Sequence, residues 1–183
     1  DVAATRRRLG VGDAKLVMGV DRLDYTKGIP ERLHAFARML ERWPAWHGRV
    51  VFLQIGAPTR DRIDRYHQLG EEVKALVDQI NQRFGTKTWT PVLFRHEHHT
   101  PEEVGACYRA ADVCVVSSLH DGMNLVAKEF IAARTDERGV LVLSEFTGAA
   151  RALADVVAVN PFAPDDFAAA IENALQMPVP EQR

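Results

Sequence analysis

The chain has 183 residues, 46% hydrophobic and 26% charged, with a formal net charge of −2. That profile fits one globular domain and excludes a disordered or collagen-like chain. Near-neutrality gives no global basis for binding nucleic acid or an anionic membrane, and no apolar run is long enough to span a bilayer.

Cys107 and Cys114 sit in apolar stretches and read as small core residues. Nothing asks for a disulfide, so a reducing, cytoplasmic setting is expected. The first residues carry no signal-peptide pattern. An opening Asp1 in place of Met leads us to expect a piece of a longer protein.

Apolar runs of strand length alternate with amphipathic stretches. After a short helical stretch, Val2 to Leu9, the run Lys15–Val20 predicts a first strand. Leu33, Phe36, Ala37 and Leu40 recur at helical spacing behind Pro30, which suits a first helical turn. Val50–Ile55 predicts a second strand closed by Gly56, and Tyr66, Leu69, Val73, Leu76, Val77 and Ile80 mark a long helix. Pro91–Phe94 is a third strand candidate. Thr100-Pro101-Glu102-Glu103 is a capping box opening a helix with Val104, Cys107, Tyr108 and Ala111 on its apolar face. Strands at Val113–Val116, Val140–Leu143 and Val156–Val159 follow, with helices over Leu125–Ala133 and around Phe167–Leu175.

This alternation predicts an α/β fold, a Rossmann-like parallel sheet with helices on both faces. Ligands of such sheets sit at the carboxyl ends of the strands. After the first strand come Arg22 and Lys27, two cations in a loop that feeds a helix. They could grip phosphate oxygens, with Gly28 allowing close backbone approach or a positive φ. The alternative is a solvated loop with local Asp–Arg pairing. After the second strand, Arg60 either binds an anion or is an exposed arginine opening a charged helix. After the fourth strand, Asp121-Gly122-Met123-Asn124 leads into a helix whose free N–H groups and dipole favour an anion such as a diphosphate. Asp121 could meet a sugar hydroxyl, and Glu129 could hold the two hydroxyls of a ribose. The alternative is a tight turn with Asp121 as helix N-cap.

His96-Glu97-His98-His99 suggests a metal site, with His96 and His98 on one face if the third strand continues that far. No second ligand cluster at metal spacing accompanies it, so a polar loop beside the cleft is favoured. There is no Asp-x-Asp signature, Walker-type loop or G-x-G-x-x-G after the first strand. No metal and no cofactor is expected: Arg22 and Lys27 would carry the diphosphate charge themselves.

The segment Gly19–Arg32 resembles the donor-phosphate loop of trehalose-6-phosphate synthases, and Asp121–Glu129 resembles their most distinctive motif. Gly139–Ala149 and Val159-Asn160-Pro161-Phe162 extend the likeness over nearly the whole chain, in the family's order. The resemblance implies a retaining glycosyltransferase with two Rossmann-like domains facing a cleft (GT-B). Residues 1–183 would be its C-terminal, donor-binding domain, and the N-terminal acceptor domain would be a missing partner. It implies that Arg22 and Lys27 bind the diphosphate of UDP-glucose, that the backbone at His99 contacts the uracil, and that Asp121 meets the donor glucose. Gly122, Met123, Asn124, Leu125, Val126, Ala127, Lys128 and Glu129 would line the nucleotide, with Glu129 on the ribose. Arg60 would reach the phosphate of glucose 6-phosphate.

His120 stands where many members carry Arg. The implied reaction moves glucose to glucose 6-phosphate, giving trehalose 6-phosphate and UDP. A lone donor half is expected to be inactive, since both sugars must be held together. Other acceptors remain open, as in glucosylglycerol-phosphate synthases or cyclitol-coupling pseudo-glycosyltransferases. A non-catalytic regulatory homologue is disfavoured by the joint presence of Arg22, Lys27, Asp121 and Glu129, and an epimerase by the Asp121–Glu129 motif. Homo-oligomerisation is a further possibility.

Overall fold

A strand covered on both faces must be apolar along its length, and the sheet residues follow that rule. The computed structural model describes residues 1–57, 64–120, 124–147 and 156–182. The strands are β1 (Lys15–Arg22), β2 (Val50–Ala57), β3 (Val92–Arg95), β4 (Val113–Val116), β5 (Val140–Ser144) and β6 (Val157–Val159). The helices are α1 (Val2–Leu9), α2 (Ile29–Arg42), α3 (Asp64–Phe84), α4 (Pro101–Ala110), α5 (Leu125–Ala133), α6 (Pro164–Gln176) and α7 (Val179–Gln182). Every residue of β4 and β5 is buried, as is every residue of β2 before Ala57.

All pairings are parallel, and the strand order is β3-β2-β1-β4-β5-β6. Chain order runs outward from β1 to β3, then jumps back so that β4 lies on the other side of β1. The carboxyl ends of β1 and β4 therefore flank the crevice where such sheets bind ligands. Helices α2, α3 and α6 pack together on one face, with α1, α4 and α5 on the other. The α/β doubly wound class expected from the alternation is the one observed.

Local chemistry explains most boundaries. Thr100 forms the predicted capping box with Glu103, and Pro30, Pro101 and Pro164 occupy first turns where no N–H is missed. Gly10 closes α1 in the left-handed conformation, with φ of 72°. Phe36 of α2 packs on Phe52 of β2 at 5.3 Å between ring centroids. Cys107 and Cys114 are buried, and burial pushes the Cys114 thiol up to about 12, which makes it an inert core group.

One expectation needs correction, and two alternatives are decided. Strand β1 runs two residues past Val20, because Asp21 and Arg22 still pair with Gly56 and Ala57 of β2. Arg22 is thus the last strand residue and not a loop residue. Strand β3 stops at Arg95, so no strand places His96 and His98 on one face. The N-cap of α5 is Asn124, whose side-chain oxygen accepts the N–H of Ala127 at 3.2 Å, and not Asp121.

Candidate functional site

The crevice between β1 and β4 is organised around a buried arginine. Arg32, on the inner face of α2, is fully buried. Its Nη1 donates to Asp21 Oδ2 at 2.5 Å and to Gln54 Oε1 at 2.9 Å. Its Nε donates to Ser117 Oγ at 2.9 Å and its Nη2 to the Lys27 carbonyl at 3.3 Å. One guanidinium fork thereby ties the ends of β1, β2 and β4 to the turn before α2. Burial raises the Asp21 carboxyl above its ordinary range, and the pull of Arg32, Gln54 and Lys27 works against that rise. Gly19 makes room for the cluster: a Cβ there would strike the Arg32 guanidinium.

The loop carrying Lys27 is fastened to the loop after β4. Tyr25–Lys27 form one 3₁₀ turn capped by Asp24, whose Oδ1 accepts the Thr26 N–H and the Thr26 hydroxyl, each at 2.9 Å. Burial by itself would raise the Asp24 carboxyl, but these bonds and the nearby Lys27 and Arg22 charges hold it below its ordinary range. Ser117 Oγ donates to the Gly28 carbonyl at 2.8 Å, and the Leu119 N–H donates to the Thr26 carbonyl at 2.8 Å. Gly28 has φ of 67°, and a Cβ on it would collide with the Ser117 carbonyl. Both uses of glycine foreseen for that position, positive φ and close approach, are realised together.

Beside this junction lies an open cavity of about 650 Å³ on the α4–α5 side of the sheet. Val20, Ile55 and Ala57 form its strand-end floor; Val104, Gly105 and Tyr108 of α4 and Glu129 of α5 form its walls. His98 and His99 stand at its rim. His99 Nδ1 lies 3.0 Å from the Glu97 carbonyl, and its Nε2 lies 3.7 Å from the Glu97 carboxylate. The Tyr108 hydroxyl donates to Glu129 Oε2 at 3.3 Å. An apolar floor with a few polar groups at the wall suits a flat ring bearing hydroxyls.

The candidate residues divide as follows. Arg22 and Lys27 stand at the carboxyl end of β1 and in the turn behind it, Arg22 exposed and Lys27 half-buried. His99 and Glu129 share the cavity. In α5, Leu125, Lys128 and Glu129 are exposed, Val126 is half-buried, and Asn124 and Ala127 are buried. Because Asn124 occupies the Ala127 N–H, that donor is not free for an anion. Arg60, Asp121, Gly122 and Met123 lie outside the described residues. Among the described residues, no group of three or more His, Cys, Asp or Glu side chains is placed to hold a metal ion. Among them, too, no helix is long and apolar enough to cross a membrane.

A model of glycosyltransferase family 20 matches residues 4–183. The chain belongs to glycosyltransferase family 20. An alpha,alpha-trehalose-phosphate synthase (UDP-forming) of Pichia angusta is 47% identical over 171 residues, which is 93% of this chain and 36% of that protein. A solved alpha,alpha-trehalose-phosphate synthase (UDP-forming) from Burkholderia xenovorans, in complex with glucose-6-phosphate, matches with a TM-score of 0.92 at 41% identity. That match covers 99% of this chain and 42% of the other. An E. coli protein bound with UDP-2-fluoro glucose matches with a TM-score of 0.92 at 35% identity, over 99% of this chain and 43% of the other. The chain thus spans between a third and a half of the length of these relatives.

Within this family 20 chain, four residues of the site region were given no site role from the sequence: Arg32, although it ends the Gly19–Arg32 segment, and Gln54, Ser117 and Tyr108. A signal for two of them was present. Gln54 interrupts the apolar run of β2, and Arg32 falls among the apolar positions of α2 beside Leu33 and Phe36. A polar residue inside a run buried on both sides must find a partner, so each such interruption marks a buried polar cluster. Ser117 and Tyr108 carried no such mark, since serine is ordinary after a strand and tyrosine is ordinary on an apolar helix face.

Proposed function

We propose that residues 1–183 are the nucleotide-sugar-binding, C-terminal domain of a two-domain retaining glucosyltransferase. Its reaction transfers glucose from UDP-glucose to glucose 6-phosphate and yields trehalose 6-phosphate and UDP. The observation that carries this reading is the adjacency of two features at the sheet's switch point. The β1 end bearing Arg22 and Lys27 is stapled to the loop after β4, and the cavity lined by His99 and Glu129 lies alongside. The chain's family, and relatives described with UDP-2-fluoro glucose and with glucose-6-phosphate, support the choice of substrates.

The roles are those that the family resemblance implies. The uracil lies in the cavity near the His99 backbone, and the Glu129 carboxylate accepts hydrogen bonds from the ribose hydroxyls. Gly122, Met123, Asn124, Leu125, Val126, Ala127 and Lys128 follow the nucleotide along the entry to α5. Asp121 meets the donor glucose, and Arg60 meets the acceptor phosphate. Breaking the glycosidic bond leaves negative charge on the β-phosphate of UDP. Arg22 and Lys27, carried on a backbone that the Arg32 cluster ties down, stabilise that charge more in the transition state than in the ground state. This division of labour asks for no metal and no cofactor. Retention is assigned to a front-face path in which the leaving phosphate helps deprotonate the acceptor; a trapped covalent glucosyl-enzyme would overturn that step. Apart from Arg60, most of the acceptor pocket belongs to the other domain, and a cytoplasmic setting suits both substrates.

A calorimetric titration of UDP in the presence of a chelator tests the reading. The chain is expected to bind UDP, and Arg22→Ala and Lys27→Ala are each expected to weaken binding by about tenfold or more, as loss of a charge-assisted hydrogen bond does. Unchanged affinity in both variants would remove the phosphate-binding role from the β1 end.

A further inference from the structure

Tyr108 occupies a position where packing alone would accept phenylalanine. The residue is 3% exposed, and its ring meets Phe130 of α5 edge-on at 6.0 Å. Its backbone carbonyl accepts a hydrogen bond from Arg134 Nη1 at 3.0 Å, so both ends of the residue are held against the α4–α5 contact. The phenol does not point into this apolar packing. It reaches the wall of the cavity and donates to Glu129 Oε2 at 3.3 Å.

Glu129 needs such a partner. It is an exposed carboxylate on a short helix, with a side chain of several rotamers, and an unrestrained glutamate would lose conformational freedom on taking up a diol. A donor that fixes one carboxylate oxygen reduces that loss and makes no demand on the second. We propose that Tyr108 is a positioning residue for Glu129, and that the pair together select a vicinal diol, the 2′- and 3′-hydroxyls of a ribonucleotide. Burial, reinforced by the Glu129 charge beside it, pushes the Tyr108 phenol well above its ordinary range, so it remains a proton donor at any pH the protein meets. This inference rests on the reading of the cavity as the nucleotide site.

The test measures the affinity of UDP and of 2′,3′-dideoxy-UDP for the chain and for Tyr108→Phe, with Glu129→Gln as reference. Tyr108→Phe keeps the ring and removes only the hydroxyl. It is expected to weaken UDP about five- to tenfold, the effect of losing one ordinary hydrogen bond, and to leave the dideoxy nucleotide within about twofold. The dideoxy affinity also reports that the variant is folded. Equal weakening of both nucleotides would make the phenol a structural group only and overturn the proposal. So would unchanged affinity for both. If Glu129→Gln lowers the preference for the diol and Tyr108→Phe does not, the positioning role fails while the nucleotide site stands. If neither nucleotide binds the unaltered chain, the nucleotide reading fails and the inference with it; if Glu129→Gln leaves the preference intact, the nucleotide site stands, but Glu129 is not the acceptor of the diol and the inference fails.

Discussion

On the β1–α2–β4 side of the candidate site, Arg32 gathers Asp21, Gln54, Ser117 and the Lys27 carbonyl into a buried polar cluster. On the α4–α5 side, one phenol meets one carboxylate at the wall of an open cavity. The first region is fixed by many mutually dependent bonds, so its geometry is set before any ligand arrives. The second is fixed by apolar packing behind it, with polar chemistry only at its surface. The difference matches the tasks proposed for them. Stabilising charge on a leaving phosphate is helped by a backbone that does not shift beneath its cations, because reorganisation during the reaction would cost part of their effect. Accepting a flat base and a diol requires shape and one or two oriented acceptors.

The comparison breaks most sharply at Arg32. Arg32→Met should strand the buried Asp21 carboxylate and cost about 3–5 kcal/mol in chemical denaturation, the usual result of removing one partner of a buried pair. A loss under about 1 kcal/mol, within the range of a surface pair, would mean that the cluster is not the keystone of the junction. A smaller effect is expected at Asp24. Asp24→Ala should cost about 1 kcal/mol at neutral pH, as loss of a helix cap does. The native Asp24 carboxyl is held below its unfolded value of 3.8, so its contribution is complete above that pH and fades as pH falls through the native value. The stability gap between the original chain and Asp24→Ala should therefore close only in acid below 3.8; a constant gap would assign the effect to packing. The smallest effect belongs on the opposite face, where Arg38 joins Asp165 at 2.7 Å and Glu41 at 2.8 Å on the helix surface. Arg38→Ala should leave the unfolding midpoint almost unmoved and insensitive to added salt, because exposed pairs are screened. A large loss would show that α2 and α6 are held by charge and not by their apolar contact.

Much of the fold could be read from single residues. Continuous apolar runs announced strands covered on both faces, and Thr100 with Glu103 announced the start of α4 to the residue. The two segments proposed for the phosphate chemistry also stand out in the sequence, Arg22, Lys27 and Gly28 at and after the end of β1 and Asp121 to Glu129 after β4. Where the reading went astray, a neighbouring strand decided. Arg22 stays in β1 because Ala57 extends β2 beside it. No local pattern carries the length of a partner strand.

The sequence by itself determined the alternation of strands and helices, the membership in glycosyltransferase family 20, and the identity of the cations and carboxylates at the strand ends. The alternation depends on spacing along the chain, and the other two on motifs that can be read residue by residue. Only the tertiary structure decided that Asp21 pairs with Arg32 and not with Arg22 next to it. It also decided that Ser117 closes on Gly28 and that Tyr108 reaches Glu129. Those contacts join residues from different elements across the crevice. Their geometry comes from the strand order that sets β4 against β1, a fact about how the sheet closes that no window of sequence contains.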